Sequence, residues 1–304
     1  MAKKMYVGVS DVARKVSKIY VGVNGVARKV KKAYVGDSNN VAREVYSSGP
    51  KIVTWAGGTD AEIVAMVQAA DEGLINLSDY WSVGDTRSVD ISAIAASGSN
   101  SYGSWSVNSS QPAQTVQFVL VDSTHPYTLV NATASGRTTS SFSVQVKNCL
   151  YNGTGIDTPS TVTNWNRPSL AKKWCNSAFR GAIPSTLLPI FKRFITLTAD
   201  NNTNTLRQSQ DYFAFFASKE THGITPSNAY SCENSLVQLD YFKTSSNLLK
   251  TCATQSSTGG YWWWWTRTII KSTQAGYYMG NPDGTLDTPA TTSDLAGYAP
   301  GGVI

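Results

Sequence analysis

Four consecutive tryptophans near the C-terminus, Trp262 to Trp265, constrain the fold of this chain more than any other segment. They are nearly half of its nine tryptophans. Consecutive side chains on a β-strand point to opposite faces of the sheet, so a strand here would send two indoles into the core and two to the other face. We expect at least two core indoles. The outward pair, taken as Trp262 and Trp264, must then meet another layer, another subunit or a ligand.

The first 50 residues contain a sequence repeat that occurs three times, over residues 5–16, 19–30 and 33–45. In the second copy, Asn24-Gly25 lies between two alternating apolar runs, which is a strong β-hairpin signal because both turn positions require a positive φ. Each copy is therefore predicted to form a strand, a tight turn and a second strand. A helix over residues 12–18 is the alternative, and the valine spacing argues against it. Small hairpins cannot bury a core alone, so they need partners.

The net charge of +6 belongs to this N-terminal arm. Residues 1–50 contain ten Lys/Arg and three Asp/Glu, whereas residues 51–304 contain 16 and 17, a net charge of −1. Any argument for nucleic-acid binding is thus confined to the arm, where we prefer a solvated basic face. Only 15% of the chain is charged, and Ser, Thr, Asn and Gly supply much of its polarity. This composition suits virion or extracellular surfaces that bind proteins or carbohydrates.

The sequence shows neither an apolar leader after Met1 nor a segment long enough to span a membrane. If the protein acts outside a cell, we expect a particle released by lysis to carry it there. The four cysteines are far apart and form no CxxC pair, which argues against a zinc site. Disulfides and buried free thiols both remain open for these residues, which are Cys149, Cys175, Cys232 and Cys252.

Hydrophobic periodicity divides the body, residues 51–304, into helices and strands that indicate an α+β fold. A helix is predicted from the Thr59 cap to Gly73, and another after Pro168 through Trp174. A helical turn is predicted within residues 233–242. Strands are predicted on both sides of the turn at Gly84-Asp85 and over residues 114–122, 142–146, 191–197 and 211–218, with a polar loop over 200–209. Residues 261–304 are predicted to be strands and loops.

Four short motifs of the body are distinctive: Trp81-Ser82-Val83-Gly84-Asp85, the segment from Trp165 to Asn176, residues 215–220 (FFASKE) and Trp265-Thr266-Arg267-Thr268. Together they resemble a large family of domains found in gut Firmicutes and their phages. The family begins with W-x-V-G-D and carries W-W-L-R-S near its end, and the likeness covers residues 75–304. The repeats of the arm are similar to those at the front of structural proteins of phages that infect gut Firmicutes.

The resemblance implies a C-type-lectin-like fold of the formylglycine-generating-enzyme branch. The same fold carries the variable proteins of diversity-generating retroelements. In those proteins the ligand face lies in a C-terminal region rich in Tyr, Ser, Thr, Asp, Gly and Ala, and residues 261–298 have this composition. Three features depart from the family: Thr266 stands where Leu is usual, Thr268 where Ser is usual, and residues 299–303 have lost the Gly-Val-Arg-Pro pattern. Arg267, in the signature, is expected to be a buried, hydrogen-bonded structural residue.

The predicted ligand face combines the outward indoles with the residues that follow them, because exposed apolar and aromatic residues on a rigid scaffold are typical of binding faces. Ile269-Ile270, placed in an otherwise polar loop, is the most distinctive part. The residues assigned to this face are Trp262, Trp264, Thr266, Thr268, Ile269, Ile270, Lys271, Ser272, Thr273, Gln274, Tyr277, Tyr278 and Met279.

Motifs for catalysis are weak, and we expect no enzyme, no cofactor and no metal. His125 and His222 each occur alone in a loop-like context, and the cysteines include no close pair of the kind used by formylglycine-generating enzymes. A phosphate-binding loop, HExxH and a nucleophile elbow do not occur. Asp283 could help to bind Ca²⁺, as in many C-type lectins, but a type I turn explains residues 281–284 equally well.

These observations lead to the expectation of a non-enzymatic phage virion protein, assembled in the bacterial cytoplasm and released by lysis. The arm, residues 1–50, is expected to form a homotrimer and to dock on other virion proteins through residues 1–46, on the capsid or the tail. The body is expected to bind a host surface protein, a glycan or a mucus component, without nucleic-acid binding or membrane insertion. The alternatives are a purely structural decoration protein and, with less support, a formylglycine-type oxidase or glycan hydrolase.

Overall fold

The computed structural model combines helices with small antiparallel sheets, in agreement with the α+β class at this coarse level. It describes residues 5–9, 12–16, 19–23, 26–30, 32–36, 42–47, 50–151, 169–200, 204–253, 260–271, 276–291 and 296–304. Within these ranges, no helix combines the length and the apolar character needed to cross a membrane.

The arm forms three separate antiparallel hairpins, as the repeat predicts. They pair β1 (Met5–Val9) with β2 (Val12–Val16), β3 (Tyr20–Val23) with β4 (Val26–Lys29), and β5 (Lys32–Gly36) with β6 (Ala42–Ser47). Val9 pairs with Val12 and Val23 with Val26, so each of these turns has two residues, the length that the Asn-Gly signal indicates. Asn24 and Gly25 themselves lie outside the described residues. The alternative helix over residues 12–18 is wrong, because β2 occupies residues 12–16.

The body contains the remaining elements in chain order. Its first half has α1 (Asp60–Asp71), β7 (Thr86–Ile91), β8 (Ser97–Asn100), β9 (Gly103–Ser106), β10 (Gln114–Asp122) and β11 (Ser143–Val146). Two short helices, α2 (Leu170–Trp174) and α3 (Arg180–Ala182), are joined by a π-helical turn, Cys175–Phe179. They are followed by β12 (Phe194–Ala199), β13 (Leu206–Asp211), α4 (Ser218–His222), β14 (Trp264–Ile269), β15 (Gly276–Gly280), β16 (Leu286–Thr291) and β17 (Gly301–Val303). Single 3₁₀ turns occur at Leu77–Asp79, Leu188–Ile190, Ser231–Ser235, Asp240–Lys243 and Ser245–Leu248.

Helix α1 follows its local sequence signals closely. The Thr59 hydroxyl accepts a hydrogen bond from the Glu62 N–H, and the Glu62 carboxylate accepts one from the Thr59 N–H, which completes a capping box. Ile63, Met66 and Val67 are spaced by three and four residues and form its buried face. Past the helix, Gly73 has a φ of +71°, the left-handed conformation that favours glycine near a helix end.

The main sheet places the C-terminus of the chain in the core. Its strand order is β17-β11-β10-β7, all antiparallel. Strand β10 carries Phe118 and Leu120 into the main hydrophobic cluster, and Val119 and Val121 into a second cluster on its other face. At the edge, β17 approaches its neighbours so closely that a Cβ on Gly301 would lie 2.6 Å from Phe216 Cζ. Although β17 lies at the edge of the sheet, its residues are buried and belong to the core.

Two predicted boundaries are wrong in the region after α3. Residues 200–209 were expected to form a polar loop, but β13 begins at Leu206. This strand forms because it pairs with β12 along its whole length. The strand expected over residues 191–197 begins only at Phe194, since a 3₁₀ turn precedes it. Residues 213–218 are buried as expected, but their sheet pairing is limited to a bridge between Ala214 and Gly301.

Candidate functional site

The tryptophan run lies half before and half within β14. Trp264 and Trp265 are fully buried and point into different clusters, which confirms the expectation of at least two core indoles. Trp262 and Trp263 precede the strand, are half-buried and pack edge to face with ring centroids 4.8 Å apart. Trp264 faces away from the cluster of Trp265, as the alternation predicts, but it meets a second apolar layer, so the exposure expected for a ligand contact is wrong.

This second layer surrounds Trp264 with residues from distant parts of the chain. Its indole Nε1 donates to the Leu248 carbonyl at 3.1 Å. The His222 ring stacks on it at 5.7 Å, and the buried Lys250 ammonium lies 4.9 Å from the ring centroid. Cys149 and Cys252 pack in the same cluster as free thiols. Burial raises the pKa of the Cys149 thiol, so it does not suit the role of a nucleophile.

Most of the predicted ligand face is core in the structure. Seven of its residues, besides Trp264, have no more than 7% of their surface exposed: Thr266, Thr268, Ile269, Ile270, Tyr277, Tyr278 and Met279. Their expected exposure is wrong, because β14 and β15 pair with each other and pack against α4 and β12. Lys271 is exposed and Trp262 is half-buried, so a ligand role for these two stays a prediction. Ser272, Thr273 and Gln274 lie outside the described residues.

The two buried threonines of β14 are satisfied within the protein. The Thr266 hydroxyl donates to the Tyr278 carbonyl at 2.9 Å. The Thr268 hydroxyl donates to Glu233 Oε2 at 2.7 Å and accepts from the Ser218 N–H at 2.8 Å. Both departures from the family signature are thus hydrogen-bonded core positions.

Arg267 is a buried structural residue, as expected. Its guanidinium donates to both carboxylate oxygens of Glu220 at 2.6 Å, and to the carbonyl of Phe215 at 2.7 Å. It also donates to the Leu197 carbonyl, so one side chain joins β14 to α4 and β12. Burial raises the pKa of the nearby Glu233 carboxyl to about 7, although the Thr268 hydrogen bond and the Arg267 charge act in the opposite direction.

An open cleft of about 710 Å³ lies elsewhere on the body. It is bounded by the β8–β9 hairpin, by the α2–α3 segment and by the residues just before β12 and at the end of β13. Its volume lies in the range typical of small-molecule sites. Four basic residues and two tyrosines dominate its lining: Lys172, Lys173, Arg180, Arg193, Tyr102 and Tyr212. The described residues that line it include no aspartate or glutamate.

The helical segment places the basic groups on one side. The Ser169 hydroxyl caps α2 by accepting from the Lys172 N–H at 3.0 Å. From this start, Lys173, Ser177 and Arg180 follow at intervals of four and three residues, so they share a helical face. The π-helical turn between α2 and α3 lies within this stretch, and such turns are frequent at functional sites.

Two asparagines hold the tyrosines in place. The Asn176 side chain accepts from the Tyr212 N–H at 2.6 Å and donates to Asp211 Oδ1 at 3.0 Å. In the β8–β9 hairpin, Asn100 accepts from the Tyr102 N–H at 2.8 Å and donates to the Ser177 carbonyl at 2.9 Å. Both sides of the cleft are therefore tied to the same helical segment, which preorganises the site.

Arg180 lies between the two tyrosine rings. Its guanidinium carbon is 4.1 Å from the Tyr102 ring centroid and 3.5 Å from the Tyr212 centroid, so it makes cation–π contacts with both rings. Among the described residues its side chain has no hydrogen-bond or salt-bridge partner, and its Nε is buried without an acceptor. Asp211, behind the cleft, is occupied by Asn176, Thr196 and Lys172 instead.

One group of described side chains, Asp122, His125 and Asp240, has metal-binding spacing. Its oxygens are already engaged, however. The Asp122 carboxylate accepts from three backbone N–H groups, those of Thr124, His125 and Asp240, and the Asp240 carboxylate pairs with Lys243 at 2.6 Å. This arrangement organises the two loops.

Asp283, the residue considered for Ca²⁺, takes part in a turn. Its carboxylate accepts from the Thr285 N–H at 2.9 Å and from the Thr285 hydroxyl at 2.6 Å. The Gly284 N–H donates to the Asn281 carbonyl at 3.0 Å. These hydrogen bonds account for the tetrapeptide without an ion.

The cleft is not apparent from the sequence because its parts come from three distant segments. The local trace is the basic series Lys172 and Lys173, within the predicted helix, and Arg180, which follows it. Comparison of the chain with protein-family models, with curated proteins and with solved structures finds no match in any of the three.

Proposed function

We propose that this chain is a phage virion surface protein whose body binds a ligand on the host cell or on a mucosal surface. The arm attaches the protein to the particle, and the body, of C-type-lectin-like fold, presents the ligand site. The resemblance of the repeats and motifs to phage proteins of gut Firmicutes supports this proposal. So do the three hairpins of the arm, because two-stranded units are marginal alone and need partners such as trimer mates or other virion proteins.

The cleft beside Arg180 is the observation that carries the binding role. A guanidinium stacked between two tyrosines and lacking a protein acceptor is an incomplete site, because its donors are arranged for a group that the described residues do not supply. The Asn100 and Asn176 hydrogen bonds fix the backbone of the two tyrosines before a ligand arrives. Such preorganisation reduces the ordering cost of binding. This cleft replaces the buried part of β14 and β15 as the proposed ligand site.

The binding role is tested with fluorescently labelled full-length protein on intact gut Firmicutes cells and on mucin-coated surfaces. The cleft variant Lys173→Glu/Arg193→Glu reverses two exposed charges, and Lys51→Glu/Arg207→Glu is the matched control outside the cleft. We expect wild type and control to be retained and the cleft variant to be lost. Equal retention of the cleft variant would exclude the cleft. Absence of wild-type retention on every surface would oppose the binding role.

The attachment role is tested by deleting residues 1–46 in the phage. We expect a folded body that is missing from purified particles, measured by immunoblotting. Normal incorporation of the truncated protein would show that the arm is not the anchor.

A structural decoration protein is the second candidate, and the burial of residues 264–270 and 277–279 favours it, because the expected variable face is core. Particles lacking the chain would then lose heat resistance while adsorbing normally.

Retroelement diversification of residues 261–298 remains a separate proposal. It requires a neighbouring reverse transcriptase and a template repeat that differs from these codons only at adenines.

A further inference from the structure

Two tyrosine rings hold the Arg180 side chain at the cleft. The guanidinium carbon lies 4.1 Å from the centroid of Tyr102 and 3.5 Å from that of Tyr212, so cation–π contacts with both rings fix its position. The N–H groups of arginine lie in the plane of the guanidinium and form a fork. The Nε is buried and out of reach of a ligand, whereas the two terminal nitrogens have no acceptor among the described residues. A planar, negatively charged acceptor in the cleft would satisfy these two nitrogens.

The surrounding charges strengthen the preference for an anion. Lys172, Lys173 and Arg193 add three positive charges to the same cleft. Lys172 is partly neutralised by Asp211, 3.7 Å away, whereas Lys173 and Arg193 are exposed. Charge-assisted pairs between arginine and a carboxylate are commonly bidentate, which gives specificity as well as affinity.

The rest of the lining favours a sugar ring as the carrier of the anion. Ser101, Ser104 and Gln210 offer hydroxyl and amide groups that suit sugar hydroxyls, and the Tyr102 side chain is 40% exposed. A long polyanion such as nucleic acid would need an extended positive track. The body has 16 basic and 17 acidic residues and therefore carries no net positive charge for such a track.

We propose that the cleft binds a sugar bearing a carboxylate group, with the Arg180 guanidinium as the anion-binding group. This inference rests on the proposed ligand-binding function and names its ligand class. Lys173 and Arg193 attract the carboxylate, while Tyr102 and Tyr212 hold the guanidinium in the orientation that pairs with both carboxylate oxygens.

The test compares sugars that differ only in the acidic group. Isothermal titration calorimetry of the full chain would use methyl β-D-glucuronide against methyl β-D-glucoside, and the methyl glycoside of N-acetylneuraminic acid against its methyl ester. We expect at least one acid to bind at least about tenfold more tightly than its neutral counterpart, the loss expected when a charge-assisted hydrogen bond is removed. Equal affinity within both pairs, or no binding of either acid, overturns the proposal.

Variants assign the effect to Arg180. Arg180→Lys keeps the positive charge but removes the forked N–H donors of the guanidinium, so we expect the acid to bind at least about tenfold more weakly. The control Arg207→Lys, at an exposed arginine outside the cleft, should leave the affinity for the acid unchanged. Melting temperatures check that each variant is folded. If Arg180→Lys does not fold, Lys173→Gln at an exposed position is expected to weaken acid binding severalfold. Unchanged acid binding in the folded cleft variant overturns the proposal.

Two further results separate this inference from the proposed function. Tighter binding of inorganic phosphate or of a ten-nucleotide oligothymidylate than of either acid overturns the sugar assignment. Cleft-dependent retention on cells without acidic-sugar binding overturns it too and leaves the ligand-binding function in place. Acidic-sugar binding through Arg180, without retention on any cell or mucin surface, supports the site and opposes the surface-binding role.

Discussion

Replacement of Arg267 by leucine should destabilise the body more than any exposed substitution. Arg267 is fully buried and donates to both oxygens of Glu220 at 2.6 Å. Removal of the guanidinium leaves Glu220 as an uncompensated buried charge and removes the hydrogen bonds that Arg267 donates to the carbonyls of Phe215 and Leu197. Breaking one partner of a buried pair typically costs about 3–5 kcal/mol in free energy of unfolding. Because domains are stable by about 5–15 kcal/mol, this loss is a large share of the total.

A second substitution should recover part of this loss. Glu220→Gln in the Arg267→Leu background removes the stranded charge, while the amide oxygen can still accept from the Ala217 N–H, now bonded at 2.8 Å. We therefore expect the double variant to be more stable than Arg267→Leu alone. The matched control is Arg207→Leu, which breaks the ion pair of an exposed arginine with the partly buried Asp200 and should cost less than about 1 kcal/mol.

Urea unfolding followed by tryptophan fluorescence at pH 7.5 measures all four proteins. Unchanged m-values would show that the differences in midpoint reflect stability. If Arg267→Leu is too unstable to purify, Arg267→Lys, which keeps the charge but not the fork, takes its place. A loss below about 1 kcal/mol for Arg267→Leu, or a double variant less stable than the single one, would refute the interpretation of Arg267 as the structural link between β14 and α4.

Two further predictions concern the same region. Burial raises the pKa of Glu233 to about 7 from 4.5, so the folded protein binds this proton more tightly than the unfolded chain does. The contribution of Glu233 to stability therefore falls as pH rises from about 4.5 to 7. Glu233→Gln should remove this pH dependence of the free energy of unfolding, which amounts to up to about 3 kcal/mol. The measurement is the difference in urea midpoint between wild type and variant at pH 5, 6, 7 and 8. This difference cancels the titration of His222, whose pKa burial lowers to about 4. Parallel curves of midpoint against pH for the two proteins would contradict the prediction. Gly280→Ala should cost about 1–3 kcal/mol and change the near-UV circular dichroism, because its Cβ would lie 2.3 Å from Trp264 Nε1; an unchanged melting temperature and spectrum would show that the contact relaxes freely.

Local signals made parts of the fold predictable from the sequence. The capping box at Thr59, the glycine at position 73 and the 3.6-residue periodicity between them define α1 without help from the rest of the chain. Strand β10 was predicted at its observed bounds because apolar residues alternate at its start. The hairpins of the arm likewise follow from a two-residue turn and short alternating runs.

The burial of β14 was not predictable by the same means. Thr266 and Thr268 look like surface residues in sequence, but they are satisfied by Tyr278, Ser218 and Glu233, which lie 12 to 50 positions away along the chain. Ile269 and Ile270 look exposed only if a polar loop surrounds them. A strand covered on both faces gives no alternating pattern, so periodicity cannot distinguish it from an apolar binding loop.

The cleft depends even more strongly on tertiary structure. Tyr102, Arg180 and Tyr212 come together only because Asn100 and Asn176 tie a hairpin and an extended segment to one helical turn. Each of these residues has an ordinary sequence context. In the sequence, lysine and arginine are in excess within and just after a predicted helix, a pattern that normally indicates a solvated face.

The tryptophan run explains why we place the proposed ligand site away from the strand that carries the tryptophans. Trp264 and Trp265 fill clusters on the two sides of β14, so changes along this strand alter the core on one side or the other. A diversified surface needs positions that can change without a packing cost, since core substitutions commonly cost several kcal/mol. The exposed cleft positions Lys173 and Arg193 meet this condition, whereas Ile269 and Tyr277 do not. If this body adapts to new ligands by substitution, the changes that preserve its stability are expected around the cleft.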